Sequence, residues 1–136
     1  MLETLRPPVL PLAVLQAHAD EAYGITGDWT RLEGERDLNY RIDAAARGSA
    51  VFKLCNPDEG DDVLRAQGEA LEHIALTDPT LPVPRLLRGL GGALLTDLLH
   101  EDKRYPVMLL SWLPGRVLGQ GALTASGLHD LGRLLA

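Results

Sequence analysis

The segment Ser49-Ala50-Val51-Phe52-Lys53-Leu54-Cys55-Asn56 places an ammonium group inside an apolar run. The chain has 13 basic residues, of which only Lys53 and Lys103 are lysines and the rest are arginines. Read as a strand, the run puts Val51, Lys53 and Cys55 on one face and Phe52 and Leu54 on the other. Burying an unpaired ammonium is costly. Lys53 must therefore snorkel to water as an edge lysine, meet an acid, or meet an anionic ligand. Upstream lies Leu32-Glu33-Gly34-Glu35-Arg36-Asp37-Leu38-Asn39-Tyr40, a turn with a single glycine. It offers backbone N–H groups, the Arg36 guanidinium and the Asn39 amide near a sheet edge, a donor set that suits an anion. It also reads as an ordinary charged hairpin.

Other reactive residue types carry less. Asp58, Glu59, Asp61 and Asp62 stand ahead of a helical pattern, where acids complement the helix dipole rather than hold a metal. Cys55 has no histidine near it in sequence and reads as a small core residue. The 4 histidines are scattered without ligand spacing. Trp29 and Trp112 read as core or cleft-lining residues.

These groups need elements to position them. PLAVLQAHADEAY at 11–23 spaces Leu12, Leu15, Ala19 and Ala22 as one helix, opened by a proline and closed by Gly24. Strands follow at Trp29–Leu32, Leu38–Asp43 and Ala50–Cys55, joined by the glycine-containing connectors GER and AARG. DDVLRAQGEALEHIALT at 61–77 is helical, with acids leading and Val63, Leu64, Gln67, Leu71, Ile74 and Ala75 as its apolar stripe. LPVPR at 81–85 forces an extended connection. Two further strands are expected at Ala93–Leu98 and Pro106–Leu113, around the charged turn HEDKRY. After PGR at 114–116, a last helix starts near Thr124, whose hydroxyl can cap it. The order predicts an α+β fold: a five-stranded antiparallel sheet with a helix packed on one face.

Composition narrows the function classes. A length of 136 residues suits one domain with a real core. A net charge of −6 without a basic cluster argues against nucleic-acid binding. No apolar run reaches the roughly 18 residues of a membrane helix. The N-terminus lacks the pattern of a signal peptide. A single cysteine rules out an internal disulfide and suits a reducing, cytoplasmic setting.

A lysine in the third strand, followed by a helix and two strands, is the layout of a kinase small lobe. The segments GERDLNYRI, VFKLCNPDE, LRAQGEALEHIA, LPVPRLL, PVMLLSWLPGR and LHDLGRLLA, in this order, resemble the aminoglycoside phosphotransferase/choline kinase superfamily. The nearest likeness is to hydroxylysine kinase-like phosphotransferases, and it runs from about residue 12 to 136. The resemblance implies that Lys53 clamps nucleotide phosphates and that Gly34, Glu35, Arg36, Asp37 and Asn39 belong to the loop covering them. Ser111, Trp112 and Leu113 match the hinge whose backbone contacts the base. Kinases usually hold the lysine with a helix glutamate. Here Gln67 takes the partner position, because Glu69 lies about 200° around the helix from it. The cofactor implied is ATP or GTP with Mg²⁺, and the acceptor a hydroxyl on a small amino compound: hydroxylysine, a choline-like or ethanolamine-like alcohol, or an aminoglycoside.

The domain layout expected is a helical extension at 1–25, the nucleotide-binding small lobe at 26–113, and hinge plus first helix of the large lobe at 114–136. The family's catalytic loop, H-G-D-x-x-x-x-N, is not matched. His18-Ala19-Asp20 and His100-Glu101-Asp102 have the H-x-D spacing, but the asparagine position falls on Ile25 and Val107. The helical pattern is still running at Ala136, so more sequence is expected after it, and the chain alone is expected to be inactive. The alternative is a non-catalytic structural or dimerisation module. It would pair as a homodimer through Leu109, Leu110, Leu113, Leu128, Leu131, Leu134 and Leu135 of the hinge and last helix.

Overall fold

Alternation along one strand divides the molecule into two halves. The protein is seen here as a computed structural model that describes residues 6–114 and 124–135. Its elements are α1 (Leu12–Tyr23), β1 (Asp28–Leu32), β2 (Leu38–Ala44), β3 (Gly48–Leu54), α2 (Asp61–Thr77), β4 (Leu86–Leu87), β5 (Thr96–His100), β6 (Lys103–Ser111) and α3 (Ala125–Leu135). The sheet runs β1-β2-β3-β6-β4, with β5 also pairing β6, and every pairing is antiparallel. This is the α+β small-lobe architecture that the sequence predicts, with six strands instead of five.

The extra strand, β4, pairs Leu86 with Leu110 and Leu87 with Leu109. Ser111 and Arg85 pin it: Ser111 N–H donates to the Arg85 carbonyl at 2.8 Å, and Arg85 N–H donates to the Ser111 side-chain Oγ at 2.8 Å. Two residues are too few for alternation to show, so the segment reads only as a linker. The β5–β6 hairpin is also tighter than expected. His100 pairs with Lys103 across Glu101 (φ 49°) and Asp102 (φ 63°), a two-residue turn of the primed kind that usually carries Asn or Gly. Those acids hide the turn in the sequence, so β6 begins at Lys103 rather than Pro106.

One face of the sheet is dry. Leu38, Ile42, Ala50, Phe52, Leu54, Leu98, Val107 and Leu109 meet Leu15, Ala19 and Tyr23 of α1. The inner face of α1 therefore centres on Leu15, Ala19 and Tyr23, while Leu12, expected on it, is 38% exposed. Gly24 ends the helix at φ 65°, its N–H reaching the Asp20 carbonyl at 2.9 Å. A short polar chain crosses this layer. His18 Nε2 meets Thr96 Oγ1 at 2.8 Å, the Thr96 hydroxyl donates to Tyr23 Oη at 3.0 Å, and the Tyr23 hydroxyl donates to the Val107 carbonyl at 3.3 Å. Burial pushes the Tyr23 hydroxyl up to about 12 and holds the His18 imidazole below its ordinary value.

The opposite face is only partly covered. Cys55, Leu64, Leu95 and Met108, with Leu86 and Leu110, join α2 to the sheet. Within α2, Leu64 and Gly68 are the buried residues. A Cβ on Gly68 would stand 3.2 Å from the Leu94 side chain, so this glycine sets how closely helix and loop approach. Of the expected stripe, Leu64 is buried and Leu71, Ile74 and Ala75 are half-buried, whereas Val63 is 47% exposed and Gln67 is exposed. Cys55 is buried, its thiol pushed up to about 12 by desolvation.

Thr124 caps α3 as anticipated, accepting the Gly127 N–H at 3.0 Å. The dimer surface expected around the last helix rests on Leu128, Leu131, Leu134 and Leu135, whose side chains lie outside the described residues, as does most of the 114–116 break. Of its other members, Leu109 is buried and Leu113 is 40% exposed. Among the described residues, no helix is long and apolar enough to cross a membrane.

Candidate functional site

Strand register builds the site. Asn39 pairs with Lys53, Arg41 with Val51 and Asp43 with Ser49, while Lys53 and Val51 pair with Met108 and Leu110. Because paired residues share a face, Asn39, Arg41, Asp43, Ser49, Val51, Lys53, Met108 and Leu110 line the side opposite α1. The ammonium that alternation turns away from Phe52 stands here, its side chain 26% exposed.

Lys53 meets an acid. Its Nζ lies 3.3 Å from Asp37 Oδ2, a side chain only 16% exposed at the end of the β1–β2 turn. The second Asp37 oxygen accepts the Asn56 N–H at 2.8 Å. Asn56, 2% exposed, anchors the turn further: its Nδ2 donates to the carbonyls of Arg6 (2.7 Å) and Arg36 (3.1 Å), and its Oδ1 accepts the Asp58 N–H at 3.0 Å. Arg36 Nη1 lies 4.0 Å from Glu59 Oε2. The turn over the lysine is therefore tied to the end of β3, not left loose.

This arrangement corrects the expected partner of Lys53. Gln67 points to solvent from α2, one residue short of the buried Gly68, whereas Asp37 reaches the ammonium from the turn. The misassignment has a simple cause. Counting apolar side chains passes over glycine, so it assigns Gln67 the inward position that Gly68 holds, about 100° around the helix. Register held the missing signal: pairing Leu38 with Leu54 brings Asp37 beside the end of β3.

Two features fit this corner to a ligand. Asn39 Oδ1 is buried without a hydrogen-bond partner. At Gly34 a Cβ would fall 2.5 Å from the Asp37 carbonyl and 2.8 Å from Asn39 Nδ2, so only glycine lets the turn fold back this tightly. Glu35 and Arg36 are exposed on the turn, and Arg31 to Glu35 line an open pocket of about 570 Å³. Gly34, Glu35, Arg36, Asp37, Asn39 and Lys53 are thus one neighbourhood, and Gln67 stands outside it. The acids of the turn make the corner more suited to an anion accompanied by a cation than to a bare anion. Among the described residues, no group of three His, Cys, Asp or Glu side chains is placed to hold a metal.

The expected hinge lies at the other end of the same face. Ser111 N–H is committed to Arg85, and Trp112 N–H donates to the Ser49 carbonyl at 3.2 Å. Of the three hinge residues, Ser111 and Trp112 thus have their N–H groups engaged within the fold. Sequence reasoning missed the side chains around Trp112. The Arg41 guanidinium lies 4.3 Å from the Trp112 ring centroid, and its Nε donates to Asp43 Oδ1 at 2.9 Å. The Ser49 hydroxyl also donates to Asp43 Oδ1, at 2.5 Å. These bonds, that from Ser49 foremost, hold the Asp43 carboxyl below its ordinary value. The two H-x-D triplets stand apart from this face: His18-Ala19-Asp20 lies on α1 and His100-Glu101-Asp102 at the β5–β6 turn.

The fold recurs in solved structures. A microcompartment-associated aminopropanol kinase superposes with a TM-score of 0.68 at 14% identity, over 91% of this chain and 38% of that one. An amicoumacin kinase in complex with AMP-PNP, Ca²⁺ and Ami gives a TM-score of 0.62 at 12% identity, over 76% of this chain and 31% of that one. The chain thus spans about a third of the length of these kinases, and at such identities the likeness is one of fold. No curated protein matches the sequence. The model of the phosphotransferase enzyme family APH does match, over residues 28–136, and the chain belongs to that family.

Proposed function

We propose that this chain is the nucleotide-binding small lobe of an enzyme that moves the γ-phosphoryl group of ATP or GTP to a hydroxyl of a small amino compound. The observation that carries this reading is the Lys53–Asp37 contact of 3.3 Å beneath a turn tied down by Asn56. Lys53 would hold the α- and β-phosphates, and Asp37 would orient its ammonium in the role that a helix acid usually fills. The turn from Gly34 to Asn39, including Glu35 and Arg36, would cover the phosphates. The backbone of Ser111, Trp112 and Leu113, at the end of β6, would meet the base through the groups that its own hydrogen bonds leave open. Mg²⁺ would arrive with the nucleotide and neutralise phosphate charge. The acid–base groups for transfer would lie on sequence outside this lobe, and buried Cys55 suits a reducing cytoplasm. Hydroxylysine, choline-like or ethanolamine-like alcohols and aminoglycosides are the acceptor classes to screen.

The test is nucleotide binding to the intact protein. Lys53→Ala should weaken affinity about tenfold to a hundredfold, the range expected for a charge-assisted contact, with thermal stability nearly unchanged. Equal affinity at equal stability would leave Lys53 as no more than the ion-pair partner of Asp37. A phosphotransfer screen of amino alcohols with both nucleotides then identifies the acceptor.

A further inference from the structure

We propose that Arg41 forms a flat cationic roof over the base end of the nucleotide site and contributes to binding by stacking on the nucleobase. The inference rests on the reading of Lys53 as the phosphate-holding residue. It draws on a separate set of contacts.

Arg41 and Lys53 share one face of the sheet, with Arg41 opposite Val51 and Asn39 opposite Lys53. Arg41 therefore stands one two-residue step, roughly 7 Å, from the lysine toward the Ser111–Leu113 strand end. Its side chain crosses β3. It starts on β2 and ends over Trp112, which follows β6 on the far side of β3. Three contacts fix the guanidinium plane: Trp112 at 4.3 Å, Nε to Asp43 Oδ1 at 2.9 Å, and Nη2 to Ser49 Oγ at 3.5 Å. The side chain remains 35% exposed, so the group is oriented without being sealed in.

A lone surface arginine needs none of this. Salt-bridging Asp43 alone would leave the guanidinium free to swing, and a core tryptophan would not present its ring to a cation. Together, Trp112, Asp43 and Ser49 hold a planar cation in one place on the face where a base would lie. A guanidinium plane stacks on purines as it does on aromatic side chains. The phosphates near Lys53 and the base near Arg41 would then lie along one line on the sheet.

The experiment compares ATP, GTP and inorganic tripolyphosphate, each with Mg²⁺, as ligands of the intact protein. In the proposal, Arg41→Ala lowers affinity for both nucleotides about fivefold to thirtyfold, the range for a base-stacking contact, and leaves tripolyphosphate binding unchanged. Arg41→Lys, which keeps the charge and removes the plane, should lose most of the same affinity. Thermal melts of both variants check that the fold persists. Equal losses for nucleotide and tripolyphosphate would overturn the proposal, because Arg41 would then act through general charge. Arg41→Lys behaving as wild type would overturn it too. Loss of tripolyphosphate and nucleotide binding in Lys53→Ala, with none in Arg41→Ala, would reject the roof and leave the phosphate reading standing. Failure of the wild-type protein to bind any of the three ligands would reject both.

Discussion

The two faces of the sheet are supplied by the same strands and reach opposite chemical states. From β3, Ala50, Phe52 and Leu54 enter the layer under α1 and are buried, whereas Ser49, Val51 and Lys53 remain half-buried on the other side. The first face closes with apolar packing plus one short hydrogen-bonded chain through His18, Thr96 and Tyr23. The second carries an ion pair, a cation–π contact and a buried amide oxygen without a partner. Polar groups left incompletely satisfied are costly to a fold that has only stability to serve. Their concentration on one face separates the half of the domain that holds the fold from the half available for a ligand.

The contrast is broken most severely at Phe52. Phe52→Ala should cost about 3–5 kcal/mol, since it opens a cavity where the ring is fully buried between α1 and the sheet. Val51→Ala, one residue away on the other face, should cost about 1 kcal/mol. Denaturant unfolding of both variants checks the pair, and equal losses would show that the two faces are alike in packing. A smaller effect is expected at Gly68, where the second face is closed by contact with Leu94. Gly68→Leu should cost about 1–3 kcal/mol through overpacking, although leucine is the better helix former. A stabilised variant would mean that α2 can move away from the sheet.

The smallest effect concerns pH and belongs to the dry face. Burial lowers the folded pKa of His18 below 6.5, so the unfolded chain binds the proton more readily. Stability contributed by neutral His18 is therefore complete above the unfolded pKa and is lost as pH falls through the folded one. The melting temperature should decline as pH is lowered from 7 toward 5. His18→Gln, which keeps a partner for Thr96, should flatten that slope. An unchanged slope would place the titrating group elsewhere.

Parts of this division were legible in the residues. Lys53 inside SAVFKLCN marked the polar face, and alternation alone assigned Phe52 and Lys53 to opposite sides. Gly34 was correctly placed in the turn, although its purpose, space against the Asp37 carbonyl, needed coordinates. Gln67 misled because glycine carries no apolar signal, so the packed side of α2 was misjudged by one residue. Asn56 stood in the quoted run without a role, since its partners Arg6 and Arg36 are distant in sequence. β4 escaped because pairing with β6, not its own two leucines, makes it a strand.

Sequence by itself therefore determined the local and periodic features: element order, the two faces of β3, the capping of α1 and α3, and the family likeness carried by six ordered segments. Each depends on backbone sterics or side-chain spacing that acts within a few residues. Tertiary structure decided which polar groups meet. The Asp37–Lys53 pair, the Asn56 tie and the Arg41–Trp112 stack all join different elements, and their partners are set by strand register and by how closely Gly68 lets a helix approach. A sequence states which charges must find partners; only the folded chain selects them.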